Sequence, residues 1–437
     1  MINKMKKLFT IFSFLLVLLV FYDFSASKEM DPEKCAEKTE GWFWQGLPLV
    51  NFNSDDGFGY GVRVLRVYDG AKNDEYYCSS PYFFRLTGQF FQTTNWRMYH
   101  FIEADMPYFM GTKWRFKTSF IWDESLNANY FGTGPKSSNK LRDYSGKSYD
   151  TFENYNNHFL KEPCENYKYN KYHIRSPKWF LSTYLDITSI FRLFIGAEFK
   201  YTRLMPWGGE QFDLNGHSYT ANQTLIEAEN LQNQDGWVNS VKAGIAFDTR
   251  DHEVDPRRGI FIDYTVRCAT FLLGSGFDFI RNTLGARFYV TPVKDLTFAL
   301  RIAYTTTTSD TPFHEKGNFD FMYETQSALG NNRTLRGYPA NRFIGNTMTN
   351  GNMEIRYEFA QTKTAGQLFE FKVLAFIDTG SVFDNPDDPF RIWNYYHTGA
   401  GGGLAIVWNQ SFLLHIYYGR ALNGEDSSVS IDFSHAI

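Results

Sequence analysis

The sequence predicts an all-β fold, a 16-stranded antiparallel transmembrane β-barrel, and three observations predict it. After residue 40, apolar and polar residues alternate with period two, the spacing that sends successive side chains to opposite faces of a sheet. Charged residues occupy the second face in strand after strand, as expected where one face meets lipid and the other a wet lumen. Aromatics make up 19% of the 437 residues, with 43 Phe and 28 Tyr, against 21% charged residues. Many stand near strand ends, where Trp96, Tyr108, Trp114 and Trp207 suit interfacial girdles.

The elements follow in chain order. Residues 1–27, MINKMKKLFTIFSFLLVLLVFYDFSAS, place Lys4, Lys6 and Lys7 before an apolar run and the small residues Ser25, Ala26 and Ser27. This is the pattern of a secretory signal peptide. The run is short of the ~20 residues that a spanning helix needs. Residues 28–44 are expected to form a short periplasmic segment and residues 45–437 the barrel. Cys35, Cys78, Cys164 and Cys268 are too sparse for a disulfide scaffold and too scattered for a zinc site. The strand map puts Cys35 and Cys78 on the periplasmic side near the first strands, where one bridge can form.

Strands are expected at about 45–53, 58–68, 80–94, 96–108, 112–123, 177–189, 191–204 and 237–250, then at 258–270, 276–291, 295–307, 350–361, 366–380, 397–409, 411–420 and 427–437. The alternation is clean in NMEIRYEF, where Met353, Ile355, Tyr357 and Phe359 share one face and Asn352, Glu354, Arg356 and Glu358 the other. RLFIGAEFKYT behaves likewise, interrupted by Phe194. An even strand number lets the sheet close with both termini on one side. With a periplasmic N-terminus, the long connections 124–176, 205–236 and 308–349 fall on the extracellular side. The periplasmic turns, apart from 69–79 and 381–396, are tight.

Four stretches resemble the outer-membrane assembly barrel superfamily, the group of BamA, TamA and the two-partner secretion transporters. LRGY, Leu335 to Tyr338, is similar to the signature of that group's sixth extracellular loop. FDTRDHEVDPRRG, Phe247 to Gly259, is similar to its periplasmic turn between strands eight and nine. AFIDTGSVF, Ala375 to Phe383, is similar to its thirteenth strand, and NYFGTG, Asn129 to Gly134, is a weaker match. The resemblance implies an infolded sixth extracellular loop whose arginine enters the lumen. By motif match that arginine is Arg336 and its partner Asp378. Glu354 is a second candidate, since the alternation puts it on the lumenal face. An arginine fork against carboxylates makes charge-assisted, often bidentate bonds. Gly337 permits a sharp turn or close approach, and Tyr338 can pack its ring while its hydroxyl stays bonded.

In the turn, Asp248, Arg250, Asp251, Pro256 and Gly259 suit a tight polar reversal, with Asp248 facing inward and Arg250 or Arg258 as its partner. The family's usual members carry periplasmic modules before the barrel, whereas about 17 residues separate the expected cleavage site from the first strand. The last strand ends in Ile437 rather than the aromatic residue common in such barrels. Pro48 lacks a ladder donor, which fits either a weak seam between first and last strands or the start of a strand.

The remaining chemistry is sparse. A net charge of -4 presents no basic face for nucleic acid. The histidines show no metal spacing, and GFGYG and GAGGG lack the strand, glycine turn and helix that phosphate loops need. No nucleophile elbow occurs, so no enzyme, cofactor or metal is expected. The resemblance implies assembly or insertion of outer-membrane proteins, or translocation of proteins to the surface. The expected partners are the outer-membrane lipid bilayer, lipoprotein or periplasmic subunits, and client outer-membrane or surface proteins. A channel or structural anchor is the alternative.

Overall fold

The computed structural model describes Cys35 and residues 40–432, apart from 54–55, 79, 81, 136–140, 144, 156–168, 207–210, 213–217, 220–223, 254, 365–366, 391–395, 409–411 and 425. The signal peptide, Cys164, Trp207 and Ile437 therefore lie outside the described residues. Sixteen antiparallel strands make up the barrel sheet, in the order expected from the sequence. They are β1 (Trp42–Asn53), β2 (Gly57–Tyr68), β3 (Phe84–Thr93), β4 (Arg97–Met106) and β5 (Trp114–Asn129). β6 comprises Lys171–Arg175 and Lys178–Asp186, β7 is Phe191–Pro206, and β8 comprises Gly236–Trp237 and Ser240–Asp248. Next come β9 (Gly259–Ala269), β10 (Phe279–Val293), β11 (Leu296–Thr307) and β12 (Thr347–Thr364). The last four are β13 (Gln367–Phe383), β14 (His397–Trp408), β15 (Phe412–Ala421) and β16 (Ser427–Asp432). Each strand pairs with the next, and β1 pairs with β16 at Phe52–Ile431 and Asn53–Ser430, which closes the barrel. Among the described residues no helix is long and apolar enough to cross a membrane.

Alternation sets the two faces. On β12, Met353, Ile355, Tyr357 and Phe359 are exposed on the outer surface, while Asn350, Asn352, Glu354 and Arg356 are buried inside. The interruption at Phe194 is a lumenal aromatic. It is buried with Tyr184, Ala246, Phe261 and Met322, and the last of these belongs to the connection between β11 and β12. An apolar side chain on the inner face thus marks where the lumen is filled rather than wet.

Several bounds differ from the expected ones. β1 starts at Trp42 rather than 45 and β3 at Phe84 rather than 80. β5 runs on to Asn129, and β6 begins at Lys171, inside what the sequence reads as a loop. Beyond the bilayer both faces of these strands meet polar surroundings, so the lipid-facing half of the alternation disappears while the ladder continues. The connection 384–396 also needs correcting: it joins the extracellular ends of β13 and β14, because β13 rises from the periplasmic turn after β12. The Phe383 and Tyr396 rings meet there, 6.0 Å apart, and the Tyr396 hydroxyl accepts from Thr349 Oγ1 near the extracellular start of β12.

The principal core lies inside the barrel. The connection 308–346 carries a short helix, Phe313–Lys316, and a hairpin of Asn318–Asp320 with Thr325–Ser327. Its Phe319, Phe321, Leu329, Leu335 and Phe343 are buried in one cluster with Ala303 of β11, Met348 of β12, Val382 of β13 and Ala421 of β15. Burying each such large side chain contributes about 1.5–3 kcal/mol. The loop is therefore a packed element inside the cylinder.

Candidate functional site

Arg336 stands at the centre of this packing with 1% of its surface exposed. Alternation on β12 and β13 sends Glu354 and Asp378 inward, and the loop brings the guanidinium between them. Arg336 Nε donates to Asp378 Oδ2 at 2.6 Å and Nη2 donates to Asp378 Oδ1 at 2.7 Å, a bidentate fork. Nη1 donates to Glu354 Oε1 at 2.6 Å, and the backbone N–H of Arg336 donates to Asp378 Oδ2 at 3.1 Å. One face of the guanidinium lies 3.5 Å from the Phe376 ring centroid. Burial alone would lower the Arg336 pKa, but Asp378 and Glu354 outweigh it and hold the group well above its ordinary value.

The backbone around Arg336 lies flush against β14 and β15. Gly337 has φ 93, and a Cβ there would stand 2.6 Å from the Arg420 carbonyl carbon. Gly399, the first residue of GAGGG, faces the Arg336 carbonyl oxygen so closely that a Cβ would collide with it. Tyr338 is buried beside Phe343 and His397, and its hydroxyl donates to the Thr398 carbonyl at 3.4 Å. NYFGTG meets the same loop: Asn129 Nδ2 donates to Ala340 O at 2.9 Å, and Gly134 N–H donates to Ile344 O at 2.7 Å.

The alternation puts Asn352 and Arg356 on the inner face beside Glu354, but their support of this clasp, and the part of Arg301, were not read from the sequence. Arg356 shares Glu354, with Nε donating to Oε2 at 2.9 Å. Asn352 Nδ2 donates to Asp378 Oδ1 at 2.7 Å and to Thr334 O at 2.7 Å. Arg301 of β11 is buried and donates to Asn352 Oδ1 at 3.0 Å and Gln326 Oε1 at 2.8 Å. Phe376 could have been found: a bulky ring on the same inward parity as Asp378 signals a packed lumen.

A second cluster of opposite polarity was also missed. Here the loop supplies acids and the wall supplies bases. Glu315 pairs with Lys200 of β7, and its Oε2 lies 3.1 Å from Arg267 Nη1 of β9 and 3.5 Å from Arg281 Nη1 of β10. Asp320 Oδ2 lies 2.5 Å from the same Arg281 nitrogen. Burial would raise the Asp320 pKa, but Arg281, Arg267 and Lys242 outweigh it and hold the carboxyl well below the usual carboxylate range.

In the periplasmic turn, Arg250 grips Asp248 with Nε to Oδ1 at 2.9 Å and Nη2 to Oδ2 at 3.0 Å. Asp251 Oδ1 accepts the backbone N–H of Arg257 at 3.0 Å and of Arg258 at 3.2 Å. Gly259 has φ 109 and a Cβ there would strike the Thr249 carbonyl, while Pro256 is buried. The turn reaches farther than a local reversal requires. Asp255 pairs with Lys372, and Arg257 Nη2 lies 2.5 Å from Glu358 and 3.1 Å from Glu370. Cys35 and Cys78 are joined, with Cα atoms 5.3 Å apart. Pro48 lies in the interior of β1 opposite Val62, so it does not mark the strand start.

The loop leaves part of the lumen open. A cavity of about 630 Å³ is bordered by Leu49 and Asn51 of β1, Arg97, Asp123, Lys178 and Asp432 of β16. Among the described residues no group of three or more His, Cys, Asp or Glu side chains is placed to hold a metal ion.

A family profile described as the Omp85 superfamily domain matches residues 102–429, and one described as a domain of unknown function, DUF5982, matches residues 20–83. Among solved structures, the chain resembles BamA from Haemophilus ducreyi lacking POTRA domains 1-3, at 12% identity and a TM-score of 0.55, over 91% of this chain and 70% of that one. It also resembles CdiB from Escherichia coli, at 10% identity and a TM-score of 0.52, over 90% of this chain and 63% of that one. No curated protein matches. Both likenesses are of fold. With the family profile covering most of the barrel, the chain belongs to the Omp85 superfamily and is an outer-membrane β-barrel of a Gram-negative-type bacterium.

Proposed function

We propose that this barrel works in the assembly or insertion of outer-membrane proteins, or in translocation of proteins to the surface, together with separate lipoprotein or periplasmic subunits. The observation that carries this reading is the Arg336 clasp, in which a loop arginine inside a superfamily barrel is bonded to Asp378 on β13 and Glu354 on β12. In this reading the clasp is a latch that sets the loop as a lid over the lumen. Arg336, Gly337 and Tyr338 form its tip, and the turn bearing Asp248, Arg250, Asp251, Pro256 and Gly259 braces the periplasmic end. In this reading capture of clients from the periplasm is the task of the separate subunits. No cofactor is needed: strand exchange at the β1–β16 closure and deformation of the bilayer supply the driving force. Depleting the protein is expected to lower a defined set of outer-membrane or surface proteins, measured by quantitative proteomics of the envelope. Normal levels throughout would overturn the reading.

A second reading, a channel or structural anchor, is favoured by the polar cavity that the loop leaves open. Conductance in planar bilayers separates the two. An assembly barrel with a seated lid conducts little until Arg336→Ala loosens it, whereas a pore conducts steadily in both forms.

A further inference from the structure

The outer surface carries a cation where the alternation calls for an apolar residue. On β2, Phe58, Tyr60, Val62 and Val64 are exposed to lipid, and Arg66 takes the next place in that row. Its guanidinium lies 5.0 Å from the Trp44 ring centroid and 5.1 Å from that of Trp42. Trp44 is its register partner on β1, and Trp42 faces Tyr68. Both indoles are open to the surroundings, at 65% and 50% exposure. The Tyr68 and Phe84 rings extend the aromatic patch, 5.0 and 5.7 Å from Trp42. Among the described residues no carboxylate pairs with Arg66.

A lipid-facing arginine is tolerated near the headgroups far better than at the bilayer midplane, and Arg66 stands close to the periplasmic end of β2. Tryptophan rings favour the same depth. Contact with indole rings uses the π-face of a guanidinium, so its N–H edge is left to bond an acceptor. That edge matches the two oxygens of a phosphate, in the planar, bidentate geometry that distinguishes arginine from lysine. We infer that Arg66, Trp42 and Trp44 form a binding site for the phosphodiester headgroup of a phospholipid in the periplasmic leaflet, beside the strand that closes the barrel. The site depends on the outer-membrane location and not on the proposed assembly activity.

Native mass spectrometry of the whole barrel, titrated with phosphatidylglycerol in mild detergent, tests it. Retained lipid is expected to fall about five-fold in Arg66→Gln, in line with the contribution of one cationic side chain at a membrane surface. Arg66→Lys should give an intermediate loss and Trp44→Leu a comparable weakening. A diacylglycerol without phosphate should not be retained, and glycerol phosphate should not displace the lipid. Equal retention by the wild type and Arg66→Gln would overturn the site. Equal retention of diacylglycerol, or displacement by glycerol phosphate, would overturn its assignment to a phospholipid. Heat-modifiable gel mobility confirms that each variant is folded, and the wild-type comparison of the ligands stands even where a variant is not.

Discussion

Arg336 uses Nε, Nη1 and Nη2 on two carboxylates while Phe376 covers one of its faces. Lysine can replace the charge but not the fork or the stack. Alanine would take the guanidinium from two buried carboxylates, although Asn352 and the backbone N–H of residue 336 still meet Asp378 and Arg356 still meets Glu354, and breaking a buried pair from one side costs about 3–5 kcal/mol. The urea midpoint of the barrel, followed by loss of its heat-modifiable gel mobility, is expected to fall in the order wild type, Arg336→Lys, Arg336→Ala. Adding Asp378→Asn to Arg336→Ala should recover part of the loss, because one uncompensated charge is removed. Identical midpoints for wild type and Arg336→Ala would mean that the clasp contributes no stability. Gly399 is a sharper probe of position, since a methyl group there collides with the Arg336 carbonyl without touching any charge. Gly399→Ala should therefore lower the midpoint although the ionic partners are intact. A midpoint equal to the wild type would show that the loop can lift off β14 at no cost.

The connection between β11 and β12 is fastened in two ways, by loop cations on wall acids and by loop acids on wall cations. Cutting one fastening leaves the other, so Arg336→Ala should raise bilayer conductance only part of the way. Arg336→Ala combined with Glu315→Gln should raise it further, and equal conductance of the single and double variants would show that the second cluster holds nothing. The two fastenings differ in how legible they are. β12 and β13 alternate strictly, so Glu354 and Asp378 can be placed inside from their neighbours alone, and a short motif points to Arg336. Lys200, Arg267 and Arg281 also fall on inward positions, but their partners Glu315 and Asp320 lie in an aperiodic segment where neither spacing nor motif marks them. Pairing across 115 residues, as between Lys200 and Glu315, depends on the path of the loop through the lumen. Local pattern carries no information about that path. The same limit hid the reach of the periplasmic turn, whose Asp248–Arg250 fork is local while its Arg257–Glu358 contact spans 101 residues.

For the whole cylinder, the closure between β1 and β16 is where shape could change. β1 is paired with β2 from Trp42 to Asn53, and the segment before it is tied to the β2–β3 connection by Cys35–Cys78. Gly41 adds to that tie, donating its N–H to Gly70 O at 3.0 Å and accepting from Asp69 N–H at 3.0 Å. Any opening must therefore move β1 together with β2 and β3, which leaves the contact with β16 as the line of parting. Phe52 and Ile431 are register partners across that line. Directly opposed residues of an antiparallel pair have Cβ atoms about 4.5–5.5 Å apart, at the upper edge of the ~3.5–4.5 Å that a disulfide spans, so a small adjustment closes the bridge. Phe52→Cys with Ile431→Cys should thus lock the closure on oxidation while leaving the lumenal clasp untouched. If assembly requires the closure to part, client levels should fall in cells carrying the oxidised double variant and return with a mild reductant. The single-cysteine variants under the same treatment account for any effect of reducing Cys35–Cys78. Normal client levels with the cross-link fully formed would mean that the barrel acts closed, and would move the weight of evidence to the channel or anchor.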